Sequence, residues 1–254
     1  MSKSSLHTRR IAIAAILLSI ALVLRLLLSF YIPLFGENGM RVSVGMIFAI
    51  MPAILFGPVY GAIVAGLFDL MGFLLRPVGA FMPLITLSVV IGGFLRGWLW
   101  LVLKNRSRRV MRLMLLAFAL LLLAFGVSNL FFRMDLFADI DPQTVTVFPI
   151  GAAVFGLALL GADLLLSKWL AKRGDVSRIL PLLITIMIAG LTSTTITTVV
   201  LREILFPAWQ LLPFWVVWVP RMLEAIVTNT VFVYFVALLL GLFERQERLK
   251  ELVR

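Results

Sequence analysis

Residues 41–93 read RVSVGMIFAIMPAILFGPVYGAIVAGLFDLMGFLLRPVGAFMPLITLSVVIGG, a band nearly free of charge that holds one carboxylate, Asp69, between Arg41 and Arg76. An acid at membrane depth is costly unless it is partnered, so Asp69 marks either a functional site or a buried polar contact. Gly57-Pro58 cuts the band into two spans, because proline lacks a backbone donor and its ring clashes with the preceding turn.

The rest of the chain has the same character. Of 254 residues, 62% are hydrophobic and 14% charged, with a mean hydropathy of +1.11. A soluble domain is about a quarter charged. The fold class expected is all-α, a polytopic helical membrane bundle. The chain has no cysteine, which excludes disulfides, thiolate metal sites and thiol nucleophiles. A net charge of +11 raises the question of nucleic acid, but the basic residues sit in short segments between apolar runs, so no nucleic acid is expected as a partner.

About 20 apolar residues cross the hydrocarbon, fewer within a bundle. That ruler predicts eight spans: Ile11 to Ile32, Val42 to Phe56, Val59 to Leu75, Pro83 to Leu103, Val110 to Phe131, Val147 to Leu170, Ile179 to Leu201 and Val216 to Phe243. The first resembles a signal peptide in its basic lead, but it is too long, holds Arg25, and lacks a small-residue cleavage site, so a retained helix is expected.

Basic residues in short loops stay cytoplasmic. Lys3, Arg9 and Arg10 precede span one, Lys104, Arg106, Arg108, Arg109 and Arg112 follow span four, Lys168, Lys172, Arg173 and Arg178 follow span six, and Arg245, Arg248, Lys250 and Arg254 close the chain. With an even number of spans these clusters share one side and both termini are cytoplasmic. Asp135, Asp139 and Asp141, against Arg133, fall on the other side. Trp98 and Trp100 near the inner boundary, and Trp209, Trp215 and Trp218 near the outer one, fit interfacial belts.

Besides Arg133, five arginines outside the cytoplasmic clusters fall toward the outer face: Arg25, Arg41, Arg76, Arg202 and Arg221. The topology rule does not favour cations there, and a planar donor fork suits carboxylates or phosphates. One reading is an anionic ligand entering from outside. The other is snorkelling to headgroups or pairing with Glu37, Glu203 and Glu224, which is preferred for Arg202 beside Glu203. Asp69 either bonds the ligand or pairs with Arg76 two helical turns on, the structural role being favoured. Gly61, Gly66 and Gly72 read as packing or hinge positions. The run Thr192-Ser193-Thr194-Thr195 with Thr197 and Thr198 supplies hydroxyls that bond back to their own helix or, facing inward, line a polar cavity.

Phe56-Gly57-Pro58, Gly61, Gly66, Asp69, Gly72, Pro77, Gly79, Pro83 and Thr86-Leu87-Ser88, with Arg25, Arg41 and Pro220-Arg221, resemble the signature of substrate-binding S components of energy-coupling factor (ECF) vitamin transporters, the folate-type group most closely. The resemblance covers 11–103 and 179–243, a six-helix core, and leaves 110–170 as an inserted transmembrane hairpin within one membrane domain, 1–254. It implies a subunit in the bacterial cytoplasmic membrane, surrounded by lipid, that captures a vitamin at its outer face. Its partners would be a transmembrane coupling subunit and two cytoplasmic ATPases. The sequence agrees independently that hydrolysis must come from elsewhere, since it contains no GxxxxGK[ST] loop. Where folate-type members carry an aromatic-Pro-Gly-Phe-Thr run, this chain reads Phe81-Met82-Pro83-Leu84-Ile85-Thr86, which alters the wall that would stack on a flat ring.

The expected ligand contacts are Arg25, Arg41, Arg76, Phe81, Thr86 and Arg221, the cations holding carboxylates and Phe81 offering apolar surface. Asp69, Gly79 and Pro83 are assigned structural or gating roles. Ala12, Ala15 and Ser19 form a small-residue stripe for close approach of a helix, either the coupling subunit's or another of this chain. No cofactor and no metal are expected. The rival readings are a stand-alone secondary carrier, for which two homologous halves are not evident, and an intramembrane enzyme, for which the single His7 and the well-separated Asp69 and Asp163 supply no convergent set.

Overall fold

The computed structural model describes residues 3–34, 37–77, 81–131 and 179–245, with scattered positions between 150 and 164. The acidic loop, Asp163, Gly79 and most of the sixth predicted span lie outside the described residues. The chain divides into two compact units, 1–104 with 182–254, and 105–181.

In the first unit α1 (Lys3–Leu27) leads into an antiparallel hairpin, β1 (Ser29–Leu34) and β2 (Glu37–Ser43), in which Phe30 pairs Val42 and Ile32 pairs Met40. Then come α2 (Met46–Phe56), α3 (Pro58–Leu75) and α4 (Pro83–Leu103). The second unit contains α5 (Arg108–Phe131). The chain returns through α6 (Ile179–Val200), a π-helical turn (Leu201–Leu205), a short α7 (Pro207–Gln210) and α8 (Phe214–Arg245).

Hydropathy located the helices well, with one correction. The first span does not run to Ile32, nor does the second begin at Val42. The helix stops at Leu27 and the apolar residues after it are strand, so Arg41 lies in β2 and not on a helix. Hydropathy reports apolar character, and Phe30, Tyr31 and Ile32 are as apolar in a strand as in a helix. Five described helices are long and apolar enough to cross a membrane, and α2 is a shorter apolar one. The protein is an all-α polytopic membrane bundle with a hairpin at the C-terminal end of α1.

α2 lies at the centre, with eight of its eleven residues buried, Ile47 and Ala49 through Leu55. At about 1.5 Å per residue it reaches roughly 16 Å, about half the hydrocarbon thickness. Gly57 ends it at φ 98°, a left-handed conformation glycine adopts without a Cβ clash, and Pro58 opens α3 where its missing N–H costs nothing. α3 and α4 cross with their backbones almost touching: a Cβ on Gly61 would lie 2.4 Å from the Gly93 carbonyl oxygen, and one on Gly97 2.4 Å from the Pro58 nitrogen. Ala14, Leu18 and Ala21 of α1 pack on Ala49, Val64 and Phe68 to form the core of the three helices.

The belt assignment of the tryptophans needs correcting. Trp98 is exposed, but Trp100 is buried, and Trp209 is completely buried with Leu34, Leu201 and Val217. In the π turn, Phe206 N–H reaches back to the Leu201 carbonyl at 2.8 Å. Arg202 pairs with Glu203 and donates to the carbonyls of Gln210 and Leu212 at 3.3 and 3.1 Å, the structural role expected for it.

Candidate substrate-binding site

Asp69 is the joint at the hairpin end of the first unit. α3 presents its carboxylate to Arg25 from the last turn of α1 at 3.4 Å, to Arg41 of β2 at 3.6 Å, and to the Thr86 hydroxyl of α4, which donates at 2.9 Å. The expected pairing with Arg76 is replaced by these contacts. Residues seven apart on a helix are about 10.5 Å apart along the axis, whereas the hairpin and the end of α1 bring two guanidiniums alongside.

Arg25 is the more deeply set, only 4% exposed. Its Nη1 donates to the Phe68 carbonyl at 2.6 Å and its guanidinium lies over the Phe68 ring at 4.7 Å. Gly72 makes room for it, since a Cβ there would lie 2.2 to 2.4 Å from guanidinium atoms. The sequence reading of Gly72 as a packing position acquires a specific cause: it is the notch for a buried cation.

Behind this joint lies a cavity of about 140 Å³. At about 10–15 Å³ for each water there is room for roughly ten, the equivalent of about 300 Å³ of liquid. That is the lower end of small-molecule pockets. Arg41, Val42 and Ser43 of β2 close one side, Phe68 and Arg96 come from α3 and α4, Gly190, Ser193 and Thr194 from α6, and Glu224, Thr228, Asn229 and Phe232 from α8.

Two features hold the polar wall in place. Gly190 leaves space for the Asn229 amide, whose Nδ2 would be 2.3 Å from a Cβ. The α6 hydroxyls then stitch the neighbouring helices: Ser193 donates to the Ser88 carbonyl at 3.2 Å, Ser88 and Thr197 share a hydrogen bond of 2.7 Å, and Trp218 donates to Thr195 at 3.1 Å. Thr198 accepts from the Arg221 Nε at 2.8 Å and donates to the Thr194 carbonyl at 2.7 Å. Both fates foreseen for this run occur, bonding back to the helix and lining a cavity.

Of the six expected ligand contacts, Arg41 lines the cavity. Arg25 and Thr86 are joined to it through Asp69. Arg221 is buried against α6. Phe81 is 40% exposed and packs on Phe73 with ring centroids 5.1 Å apart, while Arg76 is exposed just beyond α3. Pro83 occupies the first turn of α4, where its missing N–H costs nothing. Ala12, Ala15 and Ser19 are all exposed, on the face of α1 opposite Ala14, Leu17, Leu18 and Ala21.

Arg96, Glu224, Asn229 and Phe68 were not foreseen as a set. Arg96 had a readable signal: it is an ionisable residue in the interior of an apolar span, the same feature that drew attention to Asp69. The structure leaves it 6% exposed with its Nε unpartnered among the described residues.

Comparison with known protein families matches residues 5–154 to the family described as ECF-type riboflavin transporter, S component. The matched residues include the Asp69 joint, Arg41 and Arg96, and end before α6 and α8. The match names the riboflavin-type components and does not single out the folate-type group. No curated protein and no solved structure matches the chain. The chain belongs to the S component family of ECF-type riboflavin transporters, and is therefore a substrate-binding subunit of an ECF importer and a multi-pass membrane protein.

Proposed function

We propose that the chain captures a vitamin through the hairpin end of the bundle, facing the outside of a bacterial cytoplasmic membrane. Delivery inward would use a transmembrane coupling subunit and two cytoplasmic ATPases. The observation that carries this reading is the cavity beneath β2, whose wall holds two guanidiniums, Arg41 and Arg96, against one carboxylate, Glu224. A wall with that balance favours a ligand rich in acceptor oxygens.

Folate or a related anionic vitamin remains our first cargo, on the resemblance of the signature and the excess of guanidinium. Riboflavin is the second, on the name of the matched family. The ligand contacts proposed are Arg41 directly, with Arg25, Thr86 and Asp69 setting its position. Phe81, Arg76 and Arg221 stay in the proposal as further ligand contacts on the resemblance of the signature alone, since none of them lines the cavity. Ala12, Ala15 and Ser19, exposed on α1, suit close approach by the coupling subunit, and 110–170 is retained as an insertion in the core.

The test is to purify the protein in detergent, identify copurifying small molecules by mass spectrometry, and titrate folic acid and riboflavin. A bound vitamin with a dissociation constant in the nanomolar range supports the reading. Absence of any vitamin, with no binding of either compound at 100-fold protein excess, overturns it. Arg41→Ala is expected to weaken binding at least about tenfold, the loss for a hydrogen bond to a charged group.

A further inference from the structure

Three arginines are buried in the described bundle, and two have evident partners. Arg25 has the Phe68 carbonyl and Asp69, and Arg221 has Thr198. Arg96 is different. It is 6% exposed, its Nε has no partner, and no ion pair or hydrogen bond joins it to any described residue. A buried cation left without acceptors is destabilising, so its retention calls for an acceptor that comes and goes.

The position agrees. Arg96 stands thirteen residues after Pro83, about 20 Å down α4 from the end nearest the hairpin, against roughly 30 Å of hydrocarbon. Arg41 enters the same cavity from the hairpin itself. The cavity therefore has one guanidinium at its entrance and another deep within. Its wall also includes Phe68 and Phe232, apolar and aromatic, together with Ser193, Asn229 and Glu224.

Resting on the proposed function, we infer that Arg96 is the inner anchor of the cargo and that it reads the edge of a fused heterocyclic ring. A guanidinium fork matches two adjacent coplanar acceptors, as when arginine reads O6 and N7 of guanine. The flavin and pterin rings both present such a pair, the carbonyl oxygen on C4 beside the ring nitrogen N5. The same fork would also take a terminal carboxylate. The ring edge is favoured because Phe68 and Phe232 in the cavity wall suit a flat system, and because Arg41 at the entrance is the cation placed for a trailing anion.

The experiment compares the full chain with Arg96→Met and Arg96→Lys, titrated with riboflavin, folic acid and the 5-deaza analogue of each, in which a C–H replaces N5. The wild-type protein should bind its vitamin about tenfold more tightly than the 5-deaza form. Arg96→Met should weaken the parent vitamin at least about tenfold and abolish that preference, with Arg96→Lys between the two. The thermal midpoint of the ligand-free Arg96→Met protein should equal or exceed that of wild type, because an unpartnered buried charge has been removed.

Wild-type affinity in both variants overturns the proposal. Weakened binding with an intact preference for N5, or a ligand-free protein that melts several degrees lower, makes Arg96 structural and overturns it too. Loss of folic acid binding with no effect of N5 replacement assigns the fork to a carboxylate and overturns the ring-edge assignment. A wild-type chain that binds none of the four compounds overturns the proposed cargo, and this inference with it.

Discussion

At the scale of residues, the physics is set by acids and cations held inside an apolar bundle. Asp69 is 14% exposed and its carboxylate serves Arg25, Arg41 and Thr86 at once. Removing it leaves Arg25 buried with the Phe68 carbonyl and the Phe68 ring alone. Asp69→Ala is therefore expected to cost about 3 kcal/mol, the loss typical of one partner in a buried pair, and to lower the thermal midpoint in detergent accordingly. Thr86→Val deletes one hydroxyl donor, leaves both arginines paired, and should cost about 1 kcal/mol. Equal losses in the two variants would show that the carboxylate does not hold the arginines. The importance of Asp69 was legible from the sequence because a lone acid in an apolar band is unusual. Its partners were not, because the choice between Arg76 and the pair Arg25 with Arg41 depends on a hairpin that brings distant residues together. Arg96 was legible by the rule applied to Asp69, and only its lack of a partner required the structure.

At the scale of elements, the helices follow from apolar length and from the Gly57-Pro58 break, both local in sequence. The hairpin does not, since Phe30, Tyr31 and Ile32 prolong the apolar run of α1 without betraying the change of backbone conformation. The α3–α4 crossing lies between these cases: Gly61 is visible as a small residue, but its opposition to Gly93 is a fact of packing. Gly61→Ala would push a methyl carbon to 2.4 Å from the Gly93 carbonyl, so the helices must part. Overpacking of this kind costs about 1–3 kcal/mol. Gly241→Ala in α8 meets nothing within 4 Å and restricts the unfolded chain, so it should instead raise stability by up to about 1 kcal/mol. Thermal melts of the two proteins in one detergent should move in opposite directions. A rise for both would mean that helix propensity and not close approach governs these glycines.

At the scale of the whole molecule, capture from outside requires that the hairpin and the entrance at Arg41 face away from the cytoplasm. The sequence argues for this through its basic clusters, of which Lys3, Arg9 and Arg10 precede α1 and Lys104 follows α4. Within the first unit the geometry is consistent: α1 runs from its basic end toward the hairpin, and α4 runs back from Pro83 to Lys104. The connection between α7 and α8 belongs to the hairpin end, where Leu34 of β1 packs with Trp209 and Val217. The chain has no cysteine, so an introduced one is the sole thiol in the protein and reports its own side of the membrane. Leu211→Cys, at a position 88% exposed beside α7, should react in intact cells with a membrane-impermeant maleimide. Lys104→Cys should react only after the membrane is opened. The reverse pattern would put the entrance at Arg41 in the cytoplasm, where the two guanidiniums would meet the cargo on the wrong side for uptake.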